Sequence, residues 1–188
     1  MEHTREYARK AIHVGFGIMF ILLIQFAGVE LSTYIIGLCI IAGVAVSLGL
    51  KRGHEFPFLR RMVEVVEREN ERKFPGKAAV FFFISALLLL IIFKDNPTII
   101  LSAISVQVFA DAGAALIGIN FGKHPLYKKK TYEGSLACLI ISIACINIFF
   151  PIHIAIIGGV VATLVEVLPL DDNLWVPLFT ASAIRLLI

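Results

Sequence analysis

Charge is the scarce ingredient of this sequence. Asp, Glu, Lys and Arg make up 16% of the 188 residues, against about 25% in a typical soluble domain. Hydrophobic residues make up 59% and the mean hydropathy is +0.89. A soluble fold of this size could not hide so much apolar surface, so the composition predicts an integral membrane protein. Cysteine occurs three times. Cys39, Cys138 and Cys145 lie in apolar stretches, and an odd number of packing thiols argues against a disulfide framework. The net charge of +3 is small for a nucleic-acid binder, so no nucleic-acid partner is expected. GxGxxG, HExxH, CxxC and the nucleophile elbow are all missing. Gly118–Lys123 is no Walker A loop, because three residues separate its glycines and no Ser or Thr follows the lysine. These absences argue against a P-loop kinase, a zinc protease and a serine hydrolase.

What the chain has in quantity is apolar runs, near 12–29, 33–50, 78–93, 97–119, 135–150, 152–168 and 174–188. A span needs about 20 residues. The fold class expected is therefore all-α: a polytopic membrane bundle of about seven transmembrane helices, forming one catalytic domain over 1–188. The first run follows Arg5, Arg9 and Lys10, as a signal peptide would. It is long for one and lacks a clear cleavage site, so it counts as a span. The last run is the weakest, since Arg185 must reach the far interface. With the amino end in the cytoplasm, the cytoplasmic segments hold 15 of the 17 Lys and Arg, which fits the positive-inside rule. Between 51 and 77, Leu59, Met62, Val63 and Val66 recur at helical spacing among charged residues. This predicts an amphipathic interfacial helix over about 56–73, either an anchor on anionic lipid or a lid.

Polar groups inside apolar spans are costly and mark function. Asp111 lies roughly 12 Å from the cytoplasmic end of its span at 1.5 Å per residue, and Gln107 precedes it by one turn. Glu166 lies near the same end of the sixth span, and His13 lies inside the first, beyond Arg9 and Lys10. The loop 118–135 adds two glycines, four lysines and Thr131-x-Glu133-Gly134-Ser135. Lysines with free backbone N–H groups at a helix start make a phosphate cradle, although a positive-inside signal explains the lysines alone. The last inside loop has no basic residue. Its Asp171, Asp172 and Asn173 suit a hard cation such as Mg²⁺, held by one or two carboxylates and substrate phosphates, or else cap the next helix. Phosphates, a metal and a lipid-facing carboxylate on one surface suggest phosphoryl transfer to a lipid alcohol.

These residues also resemble a known family. Glu6-x-x-Arg9-Lys10-x-x-His13 is similar to the opening motif of the CTP-dependent lipid-alcohol kinases, which include dolichol, polyprenol, phytol and CTP-dependent diacylglycerol kinases. Asp111-Ala-x-Ala114-x-x-x-Gly118-x-x-x-Gly122-Lys123, followed by Lys130-Thr131-x-Glu133-Gly134-Ser135, resembles their central signature. Glu166 with Asp171-Asp172-Asn173 and Pro177 resembles their final motif. The resemblance covers 6–177 and implies CTP as donor and Mg²⁺ as cofactor. It assigns Lys123, Lys130 and Thr131 to the triphosphate, with the backbone of Gly134 and Ser135 and with Asn173 on the nucleotide side. Arg9 and Lys10 would neutralise the transferred phosphoryl group. Asp111, Glu133, Glu166, Asp171 and Asp172 compete for two roles, metal ligand and base. Asp111 is the preferred base and His13 the second, and Asp111, Asp171 and Asp172 are the metal candidates. The expected partners are CTP, an isoprenoid alcohol and membrane lipids, and a homo-oligomer is compatible with the sequence. The rival expectations are a CDP-lipid-forming cytidylyltransferase and a secondary transporter using Asp111 and Glu166.

Overall fold

A computed structural model describes residues 2–52, 77–127 and 130–188. It is all-helical apart from one short ladder. The helices are α1 (Glu2–Lys51), α2 (Lys77–Ile92), α3 (Pro97–Phe121), α4 (Tyr132–Asn147), α5 (Ile152–Val167) and α6 (Asp172–Leu187). Between α3 and α4, strands β1 (Pro125–Tyr127) and β2 (Lys130–Thr131) pair antiparallel. The interfacial helix expected over 56–73 lies outside the described residues.

Two long helices, α1 and α3, are apolar enough to cross a membrane. The other four have 16 residues each. At 1.5 Å per residue that is roughly 24 Å, less than the roughly 30 Å of a hydrocarbon core. By this measure two helices among the described residues are long enough to cross a membrane, and the seven spans expected are not shown. Membrane residence is consistent with the surface, where large apolar side chains such as Phe26, Tyr34, Ile148 and Leu186 stand exposed.

The first two expected spans form one helix with a break. The loop expected around Glu30–Ser32 is helical, and the break falls at Gly28, with φ 77° and ψ 172°. Only a residue without Cβ takes that conformation cheaply. The helix resumes directly after it, with Ser32 Oγ donating to Gly28 O at 2.6 Å and Thr33 Oγ1 to Val29 O at 2.8 Å.

Helix α3 is the centre of the bundle. It starts at Pro97, where a missing N–H costs nothing, and every residue from Ile99 to Val108 is buried. It packs against α1, α4 and α6. Residues Val106–Ala110 form a π-helical turn directly before Asp111. Such turns are rare and occur often at functional sites. Helix α4 begins with Thr131 as N-cap, its Oγ1 accepting from the Gly134 N–H at 3.1 Å. A Cβ on Gly134 would stand 2.9 Å from Ala114 O. Gly134 thus lets the start of α4 lie directly on α3, a packing role in addition to the phosphate role expected of it.

Candidate functional site

Two clusters of ion pairs form where α1, α3, α5 and α6 meet the loop before α4. In the first, Lys10 Nζ donates to Asp111 Oδ2 at 2.5 Å. Lys10 is only 6% exposed, which a lysine tolerates only when paired. His13 Nε2 lies 3.6 Å from the same oxygen and 3.3 Å from Gln107 O. Its ring packs edge-on against Phe82 of α2. Arg9 pairs with Glu6 one turn back. The amino-terminal set and Asp111, 101 residues apart, therefore form one unit.

In the second cluster Lys130 is held by three groups. It bonds Glu166 Oε1 at 2.9 Å and Asp172 Oδ2 at 3.0 Å, and it also donates to the Glu166 carbonyl. Burial acts against its charge, but the two carboxylates more than compensate and hold its pKa above the ordinary lysine value. Asp171, next along, pairs with Lys77 at the start of α2 at 3.2 Å.

The clusters are joined. Gln107 Nε2 donates to Asn173 Oδ1 at 3.0 Å, tying α3 to α6. Pro177 of α6 has no N–H, so the Asn173 carbonyl has no helical donor four residues on. Asp172 also feels Asp111 and Glu166. Burial first, and then these two charges, push its pKa up to about 6, against the opposing pull of Lys130.

That shift makes a pH prediction. A carboxyl whose folded pKa is raised binds its proton more tightly in the folded state, so it favours folding below its ordinary value near 3.8 and loses that contribution as pH rises through about 6. Asp172→Asn should therefore flatten the change in thermal midpoint between pH 4.5 and 7. A slope identical to that of the unsubstituted protein would contradict the assignment.

The remaining expected residues are divided. Glu133 does not join the ion pairs around Asp111. It bonds His124 Nδ1 at 2.7 Å and accepts from the His124 and Lys123 backbone, and His124 first among these holds its pKa near 2. It therefore ties His124 to the first turn of α4. Lys123 is exposed beside it. The Gly134 N–H is taken by Thr131, while the Ser135 hydroxyl is buried without a partner. Asp111, Asp171 and Asp172 do not gather on one point, since each faces its own lysine. Among the described residues no group of three or more His, Cys, Asp or Glu side chains is placed to hold a metal. One or two carboxylates suffice for a cation that arrives with phosphates, and Glu166 offers a buried oxygen, Oε2, without a partner.

Sequence reasoning did not enrol Lys77, Gln107 or His124. The signal for Gln107 was its polarity in an apolar span. Lys77 carries none, because its partner Asp171 is distant in sequence.

Comparison with known proteins gives two relatives. The chain is 28% identical over 184 residues to an uncharacterized protein of Methanocaldococcus jannaschii, covering 96% of this chain and 93% of that one. It is 30% identical over 141 residues to a probable chloroplastic phytol kinase of Triticum aestivum, covering 63% of this chain. The chain is a distant, partial relative of a plant phytol kinase. It spans about half of that protein, 47% of its length. No protein-family model and no solved structure matches.

Proposed function

We propose that this chain is a CTP-dependent kinase of a membrane isoprenoid alcohol, of the polyprenol, dolichol, phytol or geranylgeraniol type, releasing CDP and the lipid monophosphate. The observation that carries the reading is the joined pair of clusters: cations that suit phosphates, held beside a carboxylate that lies within an apolar helix. The distant similarity to a phytol kinase points to the same reaction class. The choice of CTP rests on the sequence resemblance described above.

In this reading the alcohol oxygen attacks the γ-phosphorus, the bond from that phosphorus to the β–γ bridging oxygen breaks, and CDP leaves. Asp111 accepts the hydroxyl proton, with His13 beside it. Lys130, Lys123 and Thr131 receive the triphosphate, while Arg9 and Lys10 neutralise the moving phosphoryl group. Mg²⁺ would be shared between the substrate phosphates and one or two of the carboxylates Asp111, Asp171 and Asp172, and would supply charge neutralisation at the phosphate oxygens. In the ligand-free protein Lys10 and Lys130 are already paired with internal carboxylates, so phosphate binding at either exchanges one partner for another. The proposal includes a multi-pass topology with the amino end and the site facing the cytoplasm, supported by the lysine and arginine distribution.

Purified protein with Mg²⁺, given CTP, ATP or GTP and a panel of phytol, a polyprenol and diacylglycerol, tests the donor and acceptor classes. The expected result is a lipid monophosphate from an isoprenoid alcohol with CTP. Equal use of all three nucleotides would remove the CTP part. Uptake into proteoliposomes without nucleotide, and no lipid product, would overturn the kinase reading in favour of a transporter.

A further inference from the structure

On sequence alone Asp111 and His13 compete as bases, and the geometry around them separates their roles. His13 Nε2 stands 3.3 Å from the Gln107 carbonyl oxygen and 3.6 Å from Asp111 Oδ2. A carbonyl oxygen only accepts, and so does an ionised carboxylate. Lys10 already donates to the same Oδ2, so an ammonium balances that carboxylate without a second cation. Nε2 must therefore bring its own hydrogen, which goes to the Gln107 carbonyl. A ring nitrogen that carries hydrogen has no lone pair with which to take up another.

The ring is also fixed in place. Its other contact is Phe82 of α2, edge-on, with ring centroids 5.4 Å apart. Gln107 lies in the π-helical turn Val106–Ala110, directly before Asp111, and its carbonyl stands one turn ahead of that carboxylate. His13 thus ties α1 to the turn of α3 that carries Asp111. The two oxygens of Asp111 differ as a result. Oδ2 faces Lys10 and His13. Among the described residues nothing bonds Oδ1, and the Asp111 side chain keeps 20% of its surface exposed, so this carboxylate is open to a molecule from outside the bundle.

We infer that His13 is a positioning residue and not a base: its Nε2–H holds the π turn through the Gln107 carbonyl, and so aims Asp111 Oδ1 at the alcohol. The inference rests on the proposed reading and deepens it. The alcohol proton passes to Oδ1 as the alcohol oxygen bonds the γ-phosphorus and the bond to the CDP oxygen breaks. Oδ2 stays with Lys10 throughout.

Two measurements test it. In the unsubstituted protein with ¹⁵N-labelled histidine rings, the His13 resonances are assigned by their loss in His13→Gln. Nε2 should show the shift of a nitrogen that bears hydrogen, and an Nε2 without hydrogen would overturn the inference. In turnover assays His13→Phe keeps a ring against Phe82 but loses the N–H. It should lower kcat about 10-fold, the value of one neutral hydrogen bond that keeps a reacting group in place, and leave the KM for CTP unchanged. His13→Gln restores an N–H donor at nearly the same reach and offers no basic nitrogen, so it should recover most of that loss. A base at either ring nitrogen would make the Gln variant as slow as the Phe variant, which would overturn the inference. Full turnover by His13→Phe would overturn it too, because packing alone would then suffice. The resonance measurement needs no phosphoryl transfer. A hydrogen on Nε2 in a protein that yields no lipid product would therefore defeat the kinase reading and leave the bond from His13 to the π turn standing.

Discussion

Asp111→Asn should abolish nearly all turnover. A positioned general base contributes about 10²–10⁴-fold to rate, and asparagine has almost the same shape but does not take up the proton. The same substitution leaves Lys10, 6% exposed, without its carboxylate. Breaking a buried pair from one side costs about 3–5 kcal/mol, and partial exposure of Asp111 puts the value here toward the low end. A drop in activity alone would therefore be ambiguous. The double variant Lys10→Met/Asp111→Asn removes both charges and should recover most of the thermal midpoint without recovering turnover. Recovery of turnover together with stability would mean that Asp111 only neutralises Lys10. Near-normal turnover in the single variant would remove Asp111 from the role of base.

The second large effect is expected at Lys130. Its ammonium is the common partner of Glu166 and Asp172, and Glu166 is 8% exposed. Lys130→Met leaves two carboxylates facing each other with no cation. We expect a stability loss of about 3 kcal/mol, partly relieved as Asp172 takes up a proton. We also expect the KM for CTP to rise about 10–100-fold, the value of one charge-assisted contact to a phosphate. Lys130→Arg should restore stability more than affinity, because a planar fork replaces a point charge in a space shaped by three acceptors. If the KM for CTP is unchanged in a variant that still folds, Lys130 is a purely structural ion.

Much of this arrangement was legible in the sequence. The all-helical class followed from apolar runs, and Asp111, Glu166, Lys10 and His13 announced themselves as polar residues in apolar surroundings. The ordered motifs brought residues 9–13, 111–135 and 166–173 to one face, and the ion pairs between Lys10 and Asp111 and between Lys130 and Glu166 join those segments. Other features had no local signature. The break in α1 falls at Gly28, two residues before the expected loop, because backbone conformation and not polarity decides where a helix stops. The π turn before Asp111 is a matter of hydrogen-bond register, which hydropathy does not encode. Gly134 looked like a phosphate-loop residue, and its close packing on α3 is visible only when Ala114 O is placed beside it. The pairing of Asp171 with Lys77 joins residues that no motif connects.

The central claim is that a phosphoryl group moves from a nucleotide to a lipid alcohol at the Asp111 and Lys130 clusters. The most direct measurement follows two labels in parallel, CTP carrying phosphorus label at the γ position or at the α position, with phytol and Mg²⁺. The account predicts γ-label in the lipid phase, CDP in the aqueous phase, and no α-label in lipid. Transfer of the α-label with release of pyrophosphate would contradict it and identify a CDP-lipid-forming transferase instead.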